Sequence, residues 1–270
     1  MKYGISNIAL PQYDHRAELF KLREMGFEGL EVAPSRVWND TLHVSFSDVQ
    51  YYRRLVEKAG LTIIGLHSLF FDQPELGLFR GQEVTKKTLN FLVSLSKICS
   101  DLGGKILVFG SPEARKKDDL TLEKADKESI SFFTDLAIAI ESHETCFCIE
   151  PLRPDESDYI HTVMHALKLT QIVNRKTLKS QIDAKAISKA NEANTSVFQN
   201  VRPTLVHFHA NDPGLGVLGE TGEVNHQLLG RLLNKIGYQG YVSIEQRMID
   251  ELDLLTPIKK SFEVLKECYL

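Results

Sequence analysis

Four polar residues stand at the C-terminal ends of short apolar runs: Glu150 in CFCIEP, Asp183 in LKSQIDAKA, His209 in TLVHFHANDP and Glu245 in YVSIEQR. Three carboxylates and one imidazole form a hard, mostly oxygen donor set. Such a set suits Mn2+ first, with Mg2+ and Co2+ close behind and Zn2+ still open, and differs from the thiolate-rich coordination of structural zinc. Carboxylates crowded at one point repel, and a single divalent cation is the simplest relief. Taken one at a time, each residue has an ordinary reading. Glu150 before Pro151 could end a strand at the surface, Asp183 could cap a helix, His209 could sit in a turn with Asn211 and Asp212, and Glu245 could pair with Arg247. Four such coincidences on four successive runs are less economical than one shared ion.

Side chains at these positions converge only if the runs are parallel strands. Alternate residues of a strand share a face, so Cys148 points with Glu150, His207 with His209, and Ser243 and Arg247 with Glu245, while Ile149, Phe208 and Ile244 face the other way. Extended runs alternate with amphipathic segments eight times: KYGISNIA (2–9), EGLEVA (28–33), LTIIGLHS (61–68), KILVFGS (105–111), CFCIEP (146–151), KSQID (179–183), TLVHFHA (204–210) and YVSIEQ (241–246). Helices are expected at 15–25 with Asp14 as N-cap, at 48–59 with Ser47 as N-cap, and at 82–102, with Gly26, Gly60, Gly103 and Gly237 as stops. Eight such units imply an α/β fold closed as a (β/α)8 TIM barrel, one domain over 1–270, with its chemistry at the strand C-termini. An open doubly wound sheet fits less well, because no GxGxxG follows the first strand and the polar tips spread over four strands. The long connections 34–46, 69–80 and 211–225 all follow strands, which places the bulk of the loops on that same face. Segment NDPGLGVLGETGEVNH would form an Ω-type surface loop or a rim over the pocket.

Composition narrows the partners. Net charge is −4 with both signs interspersed, so no basic stripe invites nucleic acid. No apolar run approaches about 18 residues, and the N-terminus MKYGISNIALPQYD lacks the pattern of a signal peptide, so no membrane partner and a cytoplasmic location are expected. Cys99, Cys146, Cys148 and Cys268 lack CxxC spacing and read as reduced thiols. A small-molecule partner is the expectation. Segments VQYYRRLVEKAG and LNFLVSLSKIC read as helix faces packed on the barrel or as a subunit contact, leaving a homo-oligomer open.

The chain resembles the xylose-isomerase-like TIM barrel superfamily, specifically the sugar phosphate isomerase/epimerase group, through GISNIA, GLEV, IIGLHSLF, LVFGSPEAR, CIEP, HFHANDPG and GYVSIEQR. The resemblance implies one divalent metal ion held by Glu150, Asp183, His209 and Glu245, and a pocket-lining His67 that contacts a substrate hydroxyl or carbonyl. It departs at one point. Many members carry a substrate-contacting histidine three residues after the strand-six aspartate, where this chain has Ala186. That weakens a ketohexose 3-epimerase assignment; Lys185 offers a polar replacement or a solvated helix lysine. Abasic-site endonucleases of the superfamily fit poorly, because Phe109 and Gly110 stand at strand four and no Asp-x-His follows His209.

Two carboxylates flanking a small polyol can act as base and acid on a proton α to a carbonyl, and Glu150 and Glu245 are assigned these roles. Returning the proton to the same carbon epimerises; returning it to the neighbour isomerises. An inosose-dehydratase-like lyase, or a non-catalytic carbohydrate-binding barrel, uses the same constellation. Asn7, Glu31, His67 and Arg247 are candidate substrate-binding residues by their strand-end positions, and Trp38 could stack on a sugar face. Arg247 could equally pair with Glu31, and Arg115 reads as one of several exposed basic residues in a loop. No P-loop and no glycine-rich dinucleotide turn is present, so no nucleotide cofactor is expected.

Overall fold

The computed structural model describes residues 1–250 and 252–270. Its elements follow in the order β1 (Lys2–Ser6), α1 (Arg16–Met25), β2 (Gly29–Val32), α2 (Phe46–Lys58), β3 (Thr62–Leu66), α3 (Gln82–Leu102), β4 (Ile106–Phe109), α4 (Leu122–Ala139), β5 (Cys146–Ile149), α5 (Val163–Val173), β6 (Leu178–Asp183), α6 (Ala184–Lys189), α7 (Thr195–Val201), β7 (Leu205–Ala210), α8 (His226–Lys235), β8 (Tyr241–Ile244) and α9 (Leu255–Cys268). All eight strands pair in parallel and close as β1 through β8 back to β1, the (β/α)8 TIM barrel expected. Two ladders shift register, between Leu30 and Glu31 of β2 and between Ser180 and Gln181 of β6. Both irregularities fall just before a buried carboxylate, at Glu31 and at Asp183, and a bulge re-aims the residues that follow it.

Core packing explains the alternation. Outward-facing Leu30, Phe147, Ile149, Phe208 and Ile244 are fully buried beneath the helices. Each helix returns a stripe at three- and four-residue spacing, such as Phe91, Leu92, Leu95, Cys99 and Leu102 of α3. The α2 and α3 segments expected as helix faces do pack inward, through Val49, Tyr52 and Val56 and through that α3 stripe. Strands β3 and β4 approach so closely that a Cβ on Gly65 would meet the Ile106 carbonyl oxygen at 2.0 Å. Gly26 and Gly103 end α1 and α3 in the left-handed conformation, as expected of glycine after a helix.

Two expected caps move. Helix α2 starts at Phe46 because Ser45, not Ser47, accepts the Asp48 N–H at 3.2 Å and also donates to the Asp48 carboxylate at 2.6 Å. Asp14 does not cap α1; His15 occupies that position without a side-chain cap, and Asp14 instead binds the Arg16 N–H and guanidinium. The first strand is shorter than expected, since Asn7–Ala9 form a 3-10 turn. Among the described residues no helix is long and apolar enough to cross a membrane. All four cysteines are free thiols.

Candidate active site

Strand pairing runs one residue past the formal strand ends. The N–H groups of Glu150, His67 and Glu245 donate to Phe109, Val32 and Ala210 at 3.1, 3.0 and 3.0 Å, so each side chain keeps its inward register. Asp183 and His209 lie within β6 and β7 and face each other across the ladder. Glu150, Asp183, His209 and Glu245 each offer one donor atom, and these four atoms lie within 4.8 Å of one another. Donors about 2.1 Å from a shared ion lie at most about 4.2 Å apart, so small movements suffice for this set to enclose one.

The two ring nitrogens of the histidine face different carboxylates. His209 Nε2 lies 3.0 Å from Glu31 Oε2, while Nδ1 faces Glu150 Oε1 at 2.8 Å and Glu245 Oε2 at 3.5 Å. A carboxylate behind the ring takes one N–H and leaves the other nitrogen as a ligand, the usual arrangement behind a metal-binding histidine. Without an ion, burial works against a charged ring, yet Glu31, Glu245 and Glu150 outweigh it and hold the His209 pKa well above the ordinary value. Burial likewise works against a charged Glu31, and His209, His207 and His67 outweigh it, keeping its carboxyl well below the usual range. Glu31 also accepts from Ser243 Oγ at 2.9 Å and lies 3.2 Å from His207 Nε2. It therefore sits under the four-donor ring, 1% exposed, rather than on the pocket wall.

The glutamates differ in surroundings. Burial raises the Glu150 pKa, with Glu245 and Asp183 adding to the rise and His209 opposing it. At Glu245 burial acts in the same direction but loses to His209, His67 and Lys185, so its carboxyl is held far below the usual range. Gln181 Nε2 donates to Glu150 Oε1 at 2.8 Å, and Asn211 Nδ2 bridges Asp183 Oδ2 at 2.5 Å and Glu245 Oε2 at 2.7 Å. Asp183 keeps its helix-capping role as well, accepting the Ala186 N–H at 2.8 Å from its other oxygen. Gly110 makes room for Glu150, since a Cβ there would stand 2.1 Å from Glu150 Oε2.

Above the ring opens a cavity of about 410 Å3, walled by His67, Glu150, Glu156, Lys185 and Glu245 on its polar side and by Phe70, Phe71, Leu76, Leu152 and Leu215 on its apolar side. His67 reaches it with Nε2 held by Ser6 Oγ at 2.5 Å and Nδ1 3.6 Å from Glu245 Oε1. Ser68, Ser111 and Leu215 line the rim with positive φ, and the Ser111 hydroxyl is buried without a partner. Backbone strain of this kind gathers at functional sites. The loops after β3 and β4 are tied together, Leu78 N–H donating to Ala114 O at 2.7 Å and Arg80 Nη2 to Glu113 O at 3.0 Å. The glycine-rich segment after β7 is anchored too. Asp212 binds His226, which binds Tyr269, and Leu218 N–H donates to Ser261 Oγ at 3.0 Å.

Several expected site residues lie elsewhere. Arg247 is exposed, three residues beyond the end of β8 where alternation no longer holds, and its backbone N–H donates to Leu215 O. Asn7 spends its carboxamide on Ala33, accepting its N–H at 2.7 Å and donating to its carbonyl at 3.3 Å. Trp38 packs edge-on against Tyr52, outside the residues that wall the cavity. Two residues read as solvated are buried. Lys185 is 5% exposed, with Nζ 3.3 Å from Asp183 Oδ2 and 3.2 Å from Glu156 Oε1. Burial opposes its charge, but Asp183, Glu245, Glu156 and Glu150 outweigh that and raise its pKa. Arg115 is fully buried against the ends of β4 and β5, and burial pulls its pKa down to about 10. Gln181, Asn211 and Glu156 stand outside the expected set of site residues. Alternation would have found the first two, two residues from Asp183 and His209; Glu156 lies in an irregular loop that carries no period.

Residues 19–268 match the model of the xylose isomerase-like TIM barrel family. No match was found among curated protein sequences. Solved structures align over the whole chain. D-psicose 3-epimerase from Clostridium cellulolyticum H10, with D-tagatose, has a TM-score of 0.83 at 17% identity, covering 100% of this chain and 99% of that one. The apo form of 3-keto-D-glucoside 4-epimerase from E. coli has a TM-score of 0.79 at 20% identity, covering 99% and 100%. The IOLI protein, described with a zinc atom, has a TM-score of 0.75 at 16% identity, covering 99% of both chains.

Proposed function

The chain belongs to the xylose isomerase-like TIM barrel family, and from that premise we propose a metal-dependent isomerase or epimerase acting on a small sugar, sugar phosphate or related polyol ketone. The observation that carries this reading is the ring of Glu150, Asp183, His209 and Glu245 donors within 4.8 Å, opening on a cavity of about 410 Å3 with one polar and one apolar wall. The names of the similar structures, two sugar epimerases and a protein described with zinc, support it by analogy of fold. When bound, a divalent cation, Mn2+ first and Mg2+, Co2+ or Zn2+ as alternatives, supplies Lewis-acid polarisation of the substrate's carbonyl and adjacent hydroxyl.

The chain's own groups do the rest. Glu245, bonded to Asn211 and facing His67, takes the proton α to the carbonyl, and Glu150, bonded to Gln181, returns one. Gln181 and Asn211 hold the two carboxylates in place. His67, fixed by Ser6, presents Nδ1 to a substrate oxygen, and Lys185 with Glu156 orients hydroxyls along the polar wall. Apolar side chains on the facing wall exclude water from the developing enediolate. One observation favours a second reading, a lyase of the inosose dehydratase type: the buried Lys185 ammonium on the wall can hydrogen-bond a leaving hydroxyl.

The test is C–H exchange in deuterated water, followed by NMR, with Mn2+-loaded protein and a panel of ketoses and keto-inositols. Exchange is expected with at least one compound, lost on chelation, and abolished in both Glu150→Gln and Glu245→Gln. Full exchange by either variant would remove that residue from its role; elimination products in place of exchange would select the lyase.

A further inference from the structure

Arg115 is 0% exposed, yet it makes no salt bridge among the described residues, the Glu150 carboxylate acting on its charge only through space. Its Nη1 donates to the Glu150 carbonyl at 2.6 Å, its Nη2 donates to the Phe109 carbonyl, and its guanidinium lies 4.6 Å from the centre of the Phe109 ring. Its Nε is buried without a partner. A buried cation with no carboxylate in contact is costly, and an apolar side chain of similar length fills such a space more cheaply. What an apolar side chain cannot do is donate along two directions to carbonyls on neighbouring strands; the rigid fork of a guanidinium can.

Those two carbonyls bracket the proposed proton carrier. The ladder between β4 and β5 ends where Glu150 N–H donates to Phe109 O at 3.1 Å, and Pro151 follows without an N–H of its own. Arg115 then adds a side-chain rung, binding the same Phe109 oxygen and the next carbonyl, that of Glu150. The peptide groups on both sides of the Glu150 Cα are thereby pinned, which fixes the direction of its Cα–Cβ bond. From there the side chain passes the bare Cα of Gly110 to reach the donor ring.

We propose that Arg115 is a positioning residue: by pinning the backbone on both sides of Glu150 it sets where that carboxylate lies in the donor ring. The proposal rests on the reading of Glu150 as a metal ligand and proton carrier. Its sign separates geometry from charge. Removing a cation from beside the site would by itself tighten binding of a divalent ion, so weakened binding reports the lost positioning.

The experiment is calorimetric titration of the full chain with Mn2+ alone, for wild type, Arg115→Met, Glu150→Gln and the double variant, with melting curves followed by circular dichroism. Arg115→Met is expected to fold and to weaken Mn2+ binding about 10- to 100-fold, but to change it less than about threefold in the Glu150→Gln background, because its effect runs through that side chain. On any compound that exchanges, kcat falls while KM is little moved. Wild-type affinity in Arg115→Met, or an equal loss in both backgrounds, overturns the proposal. Where Arg115→Met does not fold, Arg115→Lys, which keeps the cation and reaches one carbonyl, carries the comparison: a loss of roughly tenfold supports positioning and no loss overturns it. Failure of the wild type to take up Mn2+ would sink the metal reading and this proposal together; uptake by the wild type with undiminished affinity in the variants sinks only the role of Arg115.

Discussion

Gly110→Ala isolates the placement of Glu150 with one methyl group. The backbone at Gly110 is not in the left-handed region, so alanine adopts it without strain. The added Cβ would stand 2.1 Å from Glu150 Oε2, whereas ordinary contact begins at 3.4 Å, and the next neighbours are Glu150 Cδ at 3.3 Å and Leu152 Cδ2 at 3.9 Å. The carboxylate therefore has to retreat by more than an ångström, and being the far end of a flexible side chain it can do so without disturbing the barrel. A displacement of about 1 Å at a reacting group costs on the order of 10²-fold in rate, or about 2.7 kcal/mol of transition-state stabilisation. The melting temperature should stay within a few degrees of wild type, because no core contact is lost. The assay is C–H exchange at saturating Mn2+ alongside thermal melts. Exchange at wild-type rates in a folded Gly110→Ala would refute the reasoning, since Glu150 would then work from a position the structure does not give it.

Further outcomes follow from other parts of the site and core. Glu31→Gln leaves His209 without the anionic acceptor at Nε2, so Mn2+ affinity measured by calorimetry should fall about 10- to 100-fold; unchanged affinity would show the ring is held by packing alone. Lys185→Met removes an ammonium 3.3 Å from Asp183 and should tighten Mn2+ binding at least roughly tenfold while raising KM, so weaker metal binding would contradict the placement of that charge. His15 is buried between Tyr52 and Pro11, and burial lowers its pKa from 6.5 to about 4. Between those values the unfolded chain binds the extra proton, so stability falls as pH drops from 6.5 toward 4, by about 1.4 kcal/mol per pH unit from this group. Urea unfolding of His15→Asn should show a correspondingly shallower slope, and an unchanged slope would move the effect to another group.

Strand positions were legible in the sequence because parallel strands buried on one side by helices and on the other by barrel contents read as short apolar runs ending in polar residues. Strand-end position singled out Glu150, Asp183, His209 and Glu245, whose donor atoms lie together, and His67, which lines the cavity. Alternation failed where strands stop. Arg247 lies beyond the last rung of β8, and Asn7 begins a 3-10 turn that hands its amide to Ala33. Lys185 and Arg115 looked solvated because charge in a loop or on a helix normally is. Their burial depends on what surrounds them in three dimensions, the carboxylates of Asp183 and Glu156 for one and the carbonyls of Phe109 and Glu150 for the other.

The bonds joining the β3 and β4 loops bear on attempts to change what the cavity accepts. Leu78 and Arg80 both end on the segment that carries Ala114 and Glu113, so a graft that brings in only one loop from another barrel strands a backbone donor or its acceptor beside the pocket. Residues 69–80 and 111–114 form one exchangeable module, with Arg115 kept where it holds the Glu150 backbone. Replaced as a unit, they would alter the apolar wall while the groups on β5 to β8 stay where they are.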